Sequence, residues 1–87
     1  MPYIKAEDRS RFEQVVEAVK FATPSTPGEL NYLFSTISAL YVSAKGETRY
    51  QYLNDVIGAL ESAKLEIYRR IVGPYEDKAI RKNGDLS

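Results

Sequence analysis

Asn54, Glu61 and Lys64 are the residues whose types and spacing best fit chemistry. They fall within a proline-free stretch, residues 48–72. On a helix this stretch gathers Leu53, Val56, Ile57, Leu60, Ile67 and Ile71 on one face. Lys64 projects into the middle of that face, with Glu61 and Asn54 on its shoulder and Tyr50 and Tyr68 between. A lysine and a glutamate three apart can neutralise each other as an ion pair that fixes helix register, with Glu29 or Asn31 as further partners. The same group can instead line a polar pocket, where the lysine meets a phosphate or carboxylate and the asparagine reads a ring edge. Tyr32, Tyr50, Tyr52, Tyr68 and Tyr75 can stack on a planar ligand such as a nucleobase, or simply fill half-buried helix seams. Arg69 and Arg70 can grip a phosphate bidentately, or serve as cations at a helix C-terminus. The candidate binding set is therefore Asn31, Tyr50, Asn54, Glu61, Lys64, Tyr68, Arg69 and Arg70.

Catalytic equipment is thin. The chain has no cysteine and no histidine, which removes thiol chemistry, the commonest zinc ligand and the usual neutral-pH base. Magnesium-dependent nucleotide pyrophosphate hydrolysis on an all-α frame wants an E-x-x-E pair facing a second acidic pair. Here Glu29 is followed three residues on by Tyr32, and Asp55 stands between Tyr52 and Gly58. The expectation is a protein with no catalytic residues, no metal and no cofactor. Twelve basic residues balance twelve acidic ones, so a broad surface for long nucleic acid is not expected. No apolar run approaches a membrane span and no signal-peptide pattern is visible, so a cytoplasmic protein is expected.

The elements that position these residues are helical. Eighty-seven residues make one domain, 1–87. Pro2 keeps the start extended, with Tyr3 and Ile4 expected to tuck against the core. Phe12, Val15, Val16 and Val19 give the stripe of a first helix over about 7–22. Thr26, Pro27 and Glu29 read as cap, first-turn proline and capping-box partner of a second helix over about 27–44. Lys45-Gly46 ends that helix with glycine in the C′ role. Thr48 is expected to cap a third helix over about 48–72, some 37 Å long at 1.5 Å per residue. The short connection makes helices two and three an antiparallel hairpin. Gly73-Pro74 breaks or kinks the chain ahead of a short C-terminal helix, and Asn83-Gly84 turns into a polar tail. Gly58 costs the third helix roughly 0.8–1 kcal/mol against alanine, tolerable where another backbone approaches.

From Leu30 to Ala44 there is no ionisable acid or base other than tyrosine. A helix this pale is expected to be covered on both faces, and the long helix overhangs what its neighbours can cover. The fold expectation is therefore an all-α, self-associating bundle, a homo-oligomer of symmetric copies.

The segments MPYIK-x-x-DR, GELNY at 28–32, LNDVIGALE-x-AKLE-x-YRR-x-V-x-PYEDK at 53–78 and NGD at 83–85 carry a resemblance over nearly the whole chain. It resembles a short, functionally uncharacterised family of bacteria, archaea and their viruses. The resemblance brings no catalytic residues and implies a prokaryotic or phage-infected setting. The residues allow three functions. The first is a non-catalytic binder of a small anionic, nucleotide-like ligand at a subunit seam, such as a phage-encoded anti-defence sponge for a signalling nucleotide. The second is an assembly module that docks a host or phage protein. The third is the magnesium-dependent hydrolase.

Overall fold

The computed structural model describes residues 4–85. Two single 3₁₀ turns, Ala6–Asp8 and Ser10–Phe12, lead into helix α1, Glu13–Ala22. Helix α2 spans Pro27–Ala44, α3 spans Tyr50–Ile67, and a π turn over Tyr68–Val72 leads into α4, Gly73–Asn83. The fold is all-α: α2 and α3 have 18 residues each, α1 has 10 and α4 has 11, with no strand among the described residues. The chain divides at Thr48 into two compact units.

In the first unit, the region from 7 to 12 is wound as 3₁₀ turns interrupted at Arg9, so only 13–22 of the expected first helix is α-helical. The expected tucking of Tyr3 lies outside the described residues, and Ile4 stands exposed. α1 ends on Thr23, whose φ of 52° places a β-branched residue in the left-handed region. Pro24 disfavours continuation of the helix through Thr23. Two groups of bonds hold the strained turn. The Thr23 N–H donates to the Val19 carbonyl at 2.9 Å, and its hydroxyl donates to the carbonyls of Lys20 and Phe21 at 2.9 and 3.2 Å.

α2 starts as its sequence predicts. Thr26 is extended, Pro27 opens the first turn, and the Thr26 hydroxyl oxygen accepts the Glu29 N–H at 3.1 Å. The Glu29 carboxylate reaches one residue beyond the cap and accepts the Ser25 N–H at 2.6 Å and the Ser25 hydroxyl at 3.2 Å. At the other end Gly46 takes a φ of +82°, and its N–H donates to the Ser43 carbonyl at 3.1 Å. Inside α2, the Ser38 hydroxyl donates to the Phe34 carbonyl at 2.7 Å. The uncharged stretch from Leu30 to Ala44 thus satisfies that polar group on its own backbone.

In the second unit, the first helical residue is Tyr50, and extended Arg49 occupies the cap position expected for Thr48, without a side-chain cap bond. At Gly73-Pro74, where a break or kink ahead of a short helix is expected, the π turn interrupts the regular winding and α4 opens with Pro74 in its first turn. The helical run continues without a gap from Tyr50 to Asn83, about 50 Å at 1.5 Å per residue. Proline has no N–H for an i→i−4 bond, and in a regular helix its ring strikes the carbonyl four residues back. The π turn meets this demand by widening the winding just before the proline, so that the Gly73 N–H donates to the Tyr68 carbonyl, five residues back. A Cβ at Gly73 would stand 3.1 Å from that carbonyl oxygen. A side chain there would press on that oxygen, which must give by a few tenths of an ångström to admit it. The chain leaves α4 through Gly84, at φ +90°, whose N–H donates to the Ile80 carbonyl at 2.8 Å. The last two residues of the expected polar tail lie outside the described residues.

No described residue in either unit is buried. Val19, Leu33, Val42, Val56 and Val72 are half-buried, and most larger apolar side chains are exposed. The amphipathic faces predicted from sequence are present, and within each unit taken by itself they line no closed core.

Candidate functional site

Tyr50, Asn54, Glu61 and Lys64 lie on α3, with Tyr68, Arg69 and Arg70 in the adjoining π turn. Spacings of four, seven and three place the first four along one side of an uninterrupted α-helix. Asn31 belongs to α2, in the other unit.

Glu61 and Lys64 form the ion pair that their spacing predicts, with Oε1 and Nζ 3.1 Å apart. Its setting differs from the core pair that the apolar face implies. The two side chains are 56% and 59% exposed, so the pair is a surface one in the single chain. Such a pair contributes at most about 1 kcal/mol. Glu29, an expected further partner, holds Ser25 at the start of α2. The Ser25 N–H, then the Ser25 hydroxyl, keep its carboxyl below the ordinary glutamate range.

Arg69 and Arg70 both turn to Glu66. Arg69 Nη2 lies 3.1 Å from each carboxylate oxygen of Glu66, and Arg70 Nε contacts Oε1. The i,i+4 pairing of Glu66 with Arg70 is expected from spacing alone. The idea that these arginines sit at a helix C-terminus does not hold, because the helical run passes through them to Asn83. A phosphate at this point would have to draw the guanidinium groups from a carboxylate that already engages both. Tyr50, Tyr68 and Tyr75 are exposed, as ring stacking requires.

Two hollows in the surface lie elsewhere. One, of about 420 Å³, sits at the α1–α2 corner and is lined by Ala22, Pro24, Thr26, Gly28, Glu29, Tyr32 and Leu33. Another, of about 340 Å³, lies beside Ile80 and Gly84 at the end of α4. None of the eight residues singled out from sequence lines either one. Among the described residues no group of three or more acidic side chains is placed to hold a metal ion. No described helix is long and apolar enough to cross a membrane.

The family described as a domain of unknown function (DUF6899) matches residues 1–86. The chain belongs to that family. No curated protein and no solved structure matches it. Membership covers the helices and turns above as one unit of sequence, and it assigns no activity to any of their residues. The chemistry open to this family member therefore rests on its own surface. That surface offers paired charges on α3 and the π turn, and uncovered apolar faces on α2 and α3.

Proposed function

We propose that this chain is a non-catalytic assembly module. It works by covering the apolar faces of its helices with other protein surface: copies of itself, and along the uncharged 30–44 stretch of α2 a host or phage protein. One observation carries the reading. No described residue is buried, while Ile37, Leu40 and Ile57 remain 55%, 63% and 65% exposed. Covering a large aliphatic side chain contributes roughly 1.5–3 kcal/mol, and soluble monomers rarely leave contiguous apolar patches of more than a few hundred Å². Two helices that each carry such a face favour association strongly. Sedimentation velocity across a concentration series tests this: the reading expects oligomers that dissociate only on strong dilution. A folded chain that sediments as a monomer throughout removes it.

A second reading has its own support. Tyr50, Asn54, Glu61 and Lys64 share one side of α3, which offers a ring, an amide and a cation to a small anionic, nucleotide-like ligand once a second surface closes over them. Thermal-shift measurements against mono-, di- and cyclic nucleotides check it. Stabilisation by one of them, lost in Lys64→Ala, is the expected result, and a flat response across the panel rejects the ligand.

A further inference from the structure

Along α3, Leu53, Ile57, Leu60, Lys64 and Ile67 recur at spacings of four, three, four and three. That alternation is the seam of two helices packed knobs-into-holes. Ile57 and Lys64 occupy one of the two alternating positions, and Leu53, Leu60 and Ile67 the other. The four apolar members are 39–65% exposed in the single chain. The seam also has a defined end. Immediately after Ile67 the π turn changes the winding and rotates the next residues out of register.

Lys64 decides the orientation of a partner helix. In a parallel pair, equivalent positions face each other, so two lysine ammonium groups would share one layer, a like-charge juxtaposition that costs association. In an antiparallel pair the two alternating positions face each other instead. Lys64 then packs against the partner's Leu60, with the partner's Glu61 adjacent. In the single chain Lys64 Nζ is 3.1 Å from its own Glu61, and both side chains are more than half exposed. The lysine can therefore move to the partner's carboxylate without first leaving a buried site. In this orientation the face is complementary to itself in charge.

We propose that α3 pairs antiparallel with α3 of a second copy about a two-fold axis near Ser62. Leu60 then lies against the partner's Lys64, Ile57 against the partner's Ile67, and the Glu61–Lys64 ion pair is exchanged between copies. This rests on the assembly reading and narrows it to one helix face and one register.

The absence of native cysteine makes the geometry directly measurable. Ile57→Cys and Ile67→Cys chains, mixed and oxidised, are expected to give the mixed disulfide as the main product, with little self-linking of Ile57→Cys. Because cysteine can weaken the seam, charge reversal supplies a second measurement. Lys64→Glu lowers self-affinity about tenfold or more, and the double variant Glu61→Lys/Lys64→Glu recovers it. Predominant self-linking of Ile57→Cys indicates a parallel pair and overturns the proposal. So does an oligomer indifferent to charge reversal, which leaves the assembly reading standing on another face. A wild-type chain that stays monomeric overturns both.

Discussion

Glu29 shows how a single carboxylate can organise the start of a helix. Its own backbone N–H donates to the Thr26 hydroxyl while its carboxylate accepts twice from Ser25, tying the cap and the residue before it to one residue. Removing the cap hydroxyl in Thr26→Ala should cost about 1 kcal/mol, the usual loss for a threonine N-cap, read as a lower thermal midpoint by circular dichroism. The carboxylate adds a pH dependence whose sign is set by the direction of its shift. The Ser25 N–H, then the Ser25 hydroxyl, hold the folded-state pKa of Glu29 below its unfolded value. Its contribution is therefore fully present above the unfolded pKa and is lost as the pH falls through the folded one. Acidification through the carboxylate range should lower the thermal midpoint, and Glu29→Gln should flatten part of that slope. An unchanged slope in Glu29→Gln would mean that the bonds to Ser25 do not form in solution.

At the scale of the element, two glycines in one helical run have opposite reasons for being there. Gly58 sits mid-helix with nothing within 4 Å of a Cβ placed on it, and it lies off the α3 seam. Gly58→Ala should therefore stabilise the chain by about 0.8–1 kcal/mol, the helix-propensity difference, and leave association unchanged. Gly73 faces the Tyr68 carbonyl oxygen, where a Cβ would stand at 3.1 Å. Gly73→Ala should forfeit that gain and unfold at lower denaturant than wild type. Urea titration of the two variants separates the cases. A destabilised Gly58→Ala would instead place another backbone against that point, as the sequence alone invites one to expect. The contrast marks how far the sequence is legible. Helix periods, the Thr26 cap and the Gly46 stop depend on local chemistry and can be read directly. The π turn cannot, because Gly-Pro signals a break equally well whether the chain stops or rewinds to i→i−5. The left-handed Thr23 is hidden for a similar reason: a β-branched residue carries no preference for that conformation.

At the scale of the molecule, the candidate site is legible as a pattern but not as an environment. Spacing alone puts Lys64 on the apolar face beside Glu61, and the pair is formed. Whether that face is covered depends on what packs against it, which periodicity along one chain does not encode. The same uncovered faces tie folding to association. If α3 and α2 gain much of their stability from a second copy, unfolding converts one oligomer into several free chains, and the thermal midpoint must rise with protein concentration. For a dimer, tenfold more protein adds about 1.4 kcal/mol per pair, or about 0.7 kcal/mol per chain. A domain of this size moves by about 4–8 °C per kcal/mol, so the expected shift is roughly 3–6 °C per decade. Lys64→Glu, by weakening the pair, should lower the midpoint most at high concentration, where the wild type is paired. Calorimetry over two decades of concentration measures both effects. A midpoint independent of concentration would mean that each chain folds on its own, with its apolar faces contributing nothing through association.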